Sequence, residues 1–369
     1  MKKGFMKLQP TLRLPTHSLP QGPFWLKEKK TFSISGFKTL EGKALPDFEL
    51  GYETYGNLNE KKDNVILVCH YFSGSSNAAG KYAASDMEPG YWDALIGPGK
   101  SVDTEKYFVV AVDILCNVCP ALPMVKTVGP SSLNPSTGSA FGMDFPQITI
   151  ADMVRAQKLV LDSLGVEKLH AVLGPSLGSM QAWQWAADYP EMVERIVPVI
   201  GSGFETSNFV AAAVELWARM LKLDPMWSEG RYTSATFPMA GMVSSLEMLT
   251  WNCLSPQWTE VYGFKALHQL ASQRAQFIDP NHFLYIVHAV QTFSVREKLK
   301  DIRAKALVIA AESDFLMLPE FSKQAVQECE AQGIAAEYFE IKGQGGHLDG
   351  LFAIEQVGAR IANFLGAQN

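Results

Sequence analysis

The sequence lacks any apolar run of the roughly 18 residues that a membrane-spanning helix requires. It also lacks a block of like charge, outside a basic N-terminal start, that could hold a nucleic acid or an anionic surface. Cysteine is scarce, with five residues in 369, at positions 69, 116, 119, 253 and 329. An odd, sparse set argues against a disulfide framework and fits a reducing compartment. Cys116 and Cys119 form a C-x-x-C pair, but no second pair follows at zinc-binding spacing and no thioredoxin-like context surrounds it. The first 30 residues begin like a secretory leader, yet prolines and polar residues interrupt them before an apolar centre can form. The cytoplasm is therefore the expected compartment, with no metal, nucleic acid or membrane partner. What is present is 47% hydrophobic and 19% charged residues with a net charge of -6. That composition suits a globular protein acting on small molecules, and the length allows a large domain with an insertion.

Short β-rich stretches recur with helical stretches between them: VILVCH (65–70), YFVVAVDIL (107–115), LHAVLG (169–174), RIVPVI (195–200), ALVIAA (306–311) and AAEYFEI (335–341). Continuous apolar strands alternating with helices predict an α/β fold with a mostly parallel sheet covered on both faces. FSISGFKTL and FELGYETYGNL, ahead of them, read as antiparallel strands at a sheet edge. ITIADMVRAQKLVLDSLG predicts a helix with Ile150, Met153, Val154, Leu159, Val160 and Leu161 on its apolar side and Gly165 at its end. From about Thr206 to Ser294 the sequence turns rich in Met, Trp, Leu and Ala with no β-run, which predicts a helical insertion over the end of the sheet. The expected organisation is an N-terminal arm (1–30), a core in two pieces (31–205 and 295–369) and a helical lid (206–294).

Residues 170–190, HAVLGPSLGSMQAWQWAADYP, pass from an apolar strand to a helical pattern through Gly174-Pro175-Ser176-Leu177-Gly178. This fits the nucleophile-elbow pattern G-x-S-x-G in the strand-turn-helix context the pattern needs. A strand that becomes a helix within one residue forces Ser176 into unfavourable backbone geometry, and flanking glycines clear the space. The turn would expose Ser176 Oγ and bring the Leu177 N–H to the helix start, where an oxyanion can bind. The pentapeptide alone fits equally well a glycine-rich turn with an N-cap serine.

A serine hydroxyl needs a base, and the base an orienting carboxylate. Enzymes built on this elbow present them in the order Ser, acid, His. Asp314 follows the strand ALVIAA, and His347 lies in a glycine-rich loop, YFEIKGQGGHLDGLF, after the next strand. Glu312 and Asp349 are rival acids: Glu312 falls too near the strand end and Asp349 only two residues from His347, so Asp314 is favoured. The second oxyanion donor should come from the loop after VILVCH, and the backbone N–H of Phe72 is the candidate. His70 precedes the nucleophile, against that order, and is expected to order its own loop.

These residues sit in long blocks: CHYFSGSSNAAG, PGYWDALIGPGKSVDTEKYFVV, NPSTGSAFGMDFPQITIADMVRAQ, GPSLGSMQAWQWAADYP, ESDFLMLP and GGHL. In content and order the blocks resemble the homoserine O-acetyltransferase family of the α/β-hydrolase fold, over about residues 30–369. The resemblance implies catalysis by Ser176, His347 and Asp314 with oxyanion donors Phe72 and Leu177. It also implies acyl-CoA as co-substrate, a small hydroxyl compound as acceptor, and a lid that forms a substrate tunnel and a homodimer contact.

The sequence departs from the family where a substrate amino acid would bind. Alignment on Leu249-Thr250-Trp251-Asn252 puts Ser244, Trp251 and Asn252 where the family carries Arg, Tyr and Arg, so the carboxylate clamp is missing. Leu348 stands where the family has an Asp directly after the catalytic His, and the nearest acid is Asp349. The segment LCNVCPALPMVKTVGPSS replaces a shorter glycine-rich one. Trp251 with Met220, Met226, Met239, Met242 and Met248 reads either as an apolar pocket or as the core of the lid. Ser244, Trp251 and Asp349 are thus the candidate substrate-binding residues. Three readings follow: an acyltransferase whose acceptor need not be homoserine, an esterase or thioesterase using water, and a non-catalytic binding or dimerisation module.

Overall fold

The computed structural model describes residues 25–86 and 88–367, so most of the expected N-terminal arm lies outside the described residues. The strands are β1 (Lys30–Ile34), β2 (Phe48–Tyr55), β3 (Val65–Cys69), β4 (Ile96–Gly97), β5 (Val102–Asp103), β6 (Phe108–Val112), β7 (Ala171–Pro175), β8 (Arg195–Val199), β9 (Lys305–Ala311) and β10 (Ala336–Ile341). The two-residue β4 and β5 pair with each other; the other eight form one sheet in the order β1-β2-β6-β3-β7-β8-β9-β10. From β6 to β10 every neighbouring pair is parallel, while β1, β2 and β6 pair antiparallel. The inner strands β3, β6, β7 and β8 are buried at every position, as their unbroken apolar sequences demand of strands covered on both faces.

The helices are α1 (Ile150–Ser163), α2 (Leu177–Asp188), α3 (Asn208–Lys222), α4 (Met239–Cys253), α5 (Pro256–Ala275), α6 (Pro280–Gln291), α7 (Pro319–Ala331), α8 (Asp349–Phe352) and α9 (Gly358–Gly366). A capping box starts α1: the Thr149 side chain accepts from the Asp152 N–H, and Asp152 accepts from the Thr149 N–H. Gly165, just past its end, adopts φ 71°. Its buried face runs through Ile150, Met153, Val154, Gln157, Val160 and Leu161. Leu159 departs from the predicted stripe and is 37% exposed, because it is one position off the 3.6-residue period that sets this face. Helix α2 is buried from Leu177 to Ala187 and packs on β7 and β8 beneath α1, so it needs no polar side.

Helices α3 to α6 lie between β8 and β9. An antiparallel bridge between Glu205 and Ser294 closes the base of this excursion. α5 breaks at Gly263, whose φ of 65° and ψ of 167° no helix contains. Met242 is buried, but Met226 and Met239 are 44% and 42% exposed, so the Met residues form neither one pocket nor one core. Among the described residues no helix is long and apolar enough to cross a membrane.

Candidate active site

The corner between β7 and α2 holds Ser176 at φ 56° and ψ -117°, in the positive-φ region that residues with a side chain rarely adopt. Both flanking glycines are sterically required. A β-carbon on Gly174 would sit 2.3 Å from the Gly178 carbonyl oxygen, and one on Gly178 would sit 2.2 Å from the Cys69 carbonyl oxygen. The elbow is therefore pressed against the end of β3. Ser176 stands at the N-cap position of α2, yet its side chain caps nothing. Its Oγ instead lies 2.8 Å from His347 Nε2.

His347 sits on a single 3-10 turn, Gly346–Leu348, at the end of the loop after β10. Gly346 has φ 70°, and a β-carbon there would strike the Cys253 carbonyl and the Ser255 N–H of the helical insertion. His347 Nδ1 is 2.7 Å from Asp314 Oδ2, and Asp314 Oδ1 accepts the backbone N–H groups of Leu316 and Met317, each at 2.9 Å. This geometry fits the tautomer with hydrogen on Nδ1 and the lone pair of Nε2 toward Ser176. Ser176, His347 and Asp314 are 8%, 5% and 2% exposed, so the three linked side chains lie nearly out of water, where charges interact strongly. Of the rival acids, Glu312 pairs with Lys342 at 2.8 Å on the surface. Asp349 is buried and its Oδ2 accepts the Gly345 N–H at 2.9 Å, so it braces the glycine loop that presents His347.

The chain leaving β3 crosses the elbow as His70-Tyr71-Phe72. His70 is buried, its Nδ1 2.8 Å from the Tyr71 carbonyl and its Nε2 3.4 Å from Asn117 Nδ2. Burial pulls its pKa below the ordinary value and keeps it neutral. Further along, Ser76 is tied into buried charges. Its N–H donates to Asp113 Oδ1 at 2.8 Å and its hydroxyl to Glu53 Oε1 at 3.0 Å, while Lys29 and Lys27 pair with Asp113 and Glu53 at 2.8 Å each. Among the described residues no protein acceptor takes the N–H of Phe72 or of Leu177. The Phe72 ring packs edge-on against Trp217 of α3 and Phe283 of α6, with centroids 5.9 and 5.2 Å away. Two free N–H groups beside a relay-bound hydroxyl make an arrangement able to hold an oxyanion as an ester or thioester is attacked.

Ser244 is half-buried on α4, and Trp251 near its end is 48% exposed. Asn252 Oδ1 accepts the Trp217 indole N–H at 2.8 Å. Cys116 and Cys119 are free and buried; burial pushes the Cys119 thiol up to about 11 and raises the Cys116 thiol well above its ordinary value, away from the thiolate that redox or metal chemistry needs. Sequence reasoning passed over Arg274. From α5 its Nη2 donates to Ser73 Oγ at 2.6 Å, on the residue after Phe72, and among the described residues no carboxylate pairs with it. The available signal was the absence of any acid three or four residues away, at Leu270, Ala271, Phe277 and Ile278.

Residues 126–353 match the family model of the α/β-hydrolase fold. Homoserine O-acetyltransferase from Methanococcoides burtonii is 38% identical over 360 residues, covering 90% of this chain and 72% of the relative. The chain belongs to the homoserine O-acetyltransferase-like family of the α/β-hydrolase fold. Its relatives named homoserine O-acetyltransferase indicate an acyltransferase enzyme, and the mostly parallel sheet described above is that of the α/β-hydrolase fold. Among solved structures, homoserine O-acetyltransferase from Bacillus anthracis superposes with a TM-score of 0.88 at 35% identity, covering 93% of this chain and 99% of that one. Esterase E22 superposes with a TM-score of 0.90 at 40% identity, covering 92% of this chain and all of the esterase. Family likeness therefore runs to a transferase and to a hydrolase.

Proposed function

We propose that this protein transfers an acyl group through a covalent ester on Ser176, from an acyl-CoA thioester to a small hydroxyl acceptor that need not be homoserine. The observation that carries this reading is the continuous relay Ser176–His347–Asp314, with links of 2.8 and 2.7 Å at a strained elbow. His347 Nε2 takes the Ser176 proton as Oγ attacks the thioester carbonyl, and the N–H groups of Phe72 and Leu177 hold the oxyanion. Collapse breaks the C–S bond, and His347 returns the proton to the thiol that leaves. The acceptor hydroxyl then gives its proton to His347 and attacks the acyl-serine, and Ser176 recovers a proton as the new ester departs.

Two observations support an acceptor other than homoserine. Ser244 and Asn252 stand where the family's arginines would hold a carboxylate, and Asn252 is bonded to Trp217. Asp349 is bound to the loop backbone and is poorly placed to meet a substrate ammonium. Pairing of two copies through the helices over the sheet, which family likeness implies, is supported by Val261 and Phe264 on α5, 65% and 75% exposed.

A second reading, an esterase in which water is the acceptor, is favoured by the likeness to esterase E22 together with the missing clamp. One experiment separates them. The protein is incubated with acetyl-CoA or p-nitrophenyl acetate, with and without a panel of alcohols including homoserine, and thiol, nitrophenol, acetate and new esters are measured. Transfer requires acceptor-dependent ester formation and a 42-Da adduct trapped on Ser176, the acetyl mass a serine ester adds. Acetate release that no alcohol changes assigns the hydrolase, and a Ser176→Ala variant with full turnover refutes both.

A further inference from the structure

Arg274 projects from the second half of α5 toward the site, half-buried, and spends one donor on Ser73 Oγ. A guanidinium carries five N–H donors, and among the described residues the others have no protein acceptor. Its position is bracketed from two sides. Ser73 follows Phe72, whose N–H is the candidate oxyanion donor. On the other side, α4 packs along α5, and the Cys253 carbonyl at the end of α4 lies against Gly346, next to His347. α5 therefore carries the guanidinium onto the loop that bears Phe72, while its packed neighbour α4 meets the loop that bears His347.

A partly desolvated cation without a protein counter-ion is costly unless something else supplies the anion. We propose that Arg274 is a specificity-determining residue that binds a carboxylate on the substrate, a reading that rests on the acyl-Ser176 chemistry above. One unpaired guanidinium balances one negative charge, which favours a carboxylate over a doubly charged phosphate. Its planar fork can hold both carboxylate oxygens while keeping the Ser73 contact. The carboxylate site is thus moved from α4, where Ser244 stands, to the neighbouring α5. Acids without an α-amino group fit as well as amino acids. The charge could sit on the alcohol side or the acyl side of the ester.

Matched acid and amide substrates test this. 3-Acetoxypropanoate against 3-acetoxypropanamide places the charge on the alcohol side; monoethyl succinate against ethyl succinamate places it on the acyl side. Wild-type enzyme should prefer the acid in one pair, and that pair identifies the source of the carboxylate. R274Q should lower the acid-to-amide ratio of kcat/KM in that pair about 10- to 100-fold, mainly through KM, with R274K keeping part of the preference because its point charge cannot bind both oxygens. Because the ratio is internal to each preparation, partial misfolding does not disturb it. Wild-type enzyme that favours neither acid, or an R274Q variant that loses acid and amide by the same factor, overturns the assignment and leaves Arg274 as a tether between α5 and Ser73. Undiminished turnover by S176A would instead strike at the acyl-serine reading while leaving the Arg274 ratio measurable.

Discussion

Replacing Asp314 by Asn separates the structural from the catalytic work of that carboxylate. In the native site Oδ1 accepts two backbone N–H groups, from Leu316 and Met317, both at 2.9 Å, and Oδ2 faces His347 Nδ1 at 2.7 Å. In Asp314→Asn the amide oxygen must keep the Oδ1 position, because an NH2 there would confront two donors. The NH2 therefore faces Nδ1 and turns it into an acceptor. The imidazole hydrogen then moves to Nε2 and points at Ser176 Oγ, so no lone pair remains to take the serine proton. Loss of the correct tautomer in a Ser-His-Asp enzyme lowers kcat on the order of 10⁴-fold, about 5.5 kcal/mol of barrier. Stability should change little, since the buried polar groups stay paired. Asp314→Ala leaves two buried N–H groups without acceptors, at about 1–3 kcal/mol each, and should unfold at clearly lower urea. Stopped-flow acylation by p-nitrophenyl acetate, beside urea unfolding of both variants, makes the measurement. An Asn variant that folds normally and acylates within about tenfold of wild type would mean that His347 does not act as a base through Asp314.

Gly178→Ala puts a β-carbon 2.2 Å from the Cys69 carbonyl, a backbone atom that cannot rotate away. It should cost about 1–3 kcal/mol in urea unfolding and, by pushing β3 and Phe72 off the elbow, lower acylation about 10²-fold as loss of one oxyanion donor does; wild-type stability and rate would refute the close approach. His282 is buried with Nδ1 2.8 Å from the Asn117 carbonyl and Nε2 3.1 Å from the Ser131 N–H donor, and burial holds its pKa below the ordinary value. Its neutral folded form binds fewer protons than the unfolded chain, so stability is intact above the unfolded pKa near about 6.5 and falls as pH drops below it, by about 1.4 kcal/mol per unit until the folded pKa is reached. Unfolding free energies at several pH values should show a shallower acid slope for His282→Gln than for wild type, and parallel slopes would contradict the assignment.

The sheet and the elbow were legible because each is written locally. An apolar run such as VILVC can only be a strand buried on both faces, and G-P-S-L-G between strand and helix leaves one backbone path. Asp314 and His347 could be found because chain order and strand ends determine which sheet edge a loop reaches. Other features depend on contacts that no local pattern encodes. Leu159 looked apolar and core-facing but lies off the helical period. Asp349 looked available to substrate, yet the fold spends it on the Gly345 N–H. Arg274 belongs to no motif in the sequence. Its contact with the site's loop appears only when α5 folds back over Ser73, some 200 positions earlier in the chain.

That long-range contact bears on why one relay can serve either a transferase or a hydrolase. The strained Ser176 backbone costs about 1–3 kcal/mol and is held by the bonds Ser176 N to Val199 O at 2.9 Å and Ser179 Oγ to Ser176 O at 2.6 Å, both within the core. Phe72 is held differently. Its ring rests on Trp217 and Phe283 of the helical insertion, and the Trp217 indole is in turn fixed by Asn252, in the stretch that departs from the family. A change at position 252 therefore reaches Phe72, the candidate oxyanion donor, through two side-chain contacts without touching Ser176, His347 or Asp314. Arg274 reaches the same loop one residue further on, through Ser73. On the proposed acyl-serine route, the insertion borders both the approach to that intermediate and the loop that carries the Phe72 N–H. Substitutions there can shift the partition of a common intermediate between alcohol and water, because that partition depends on acceptor binding and on exclusion of solvent. The relay itself need not change.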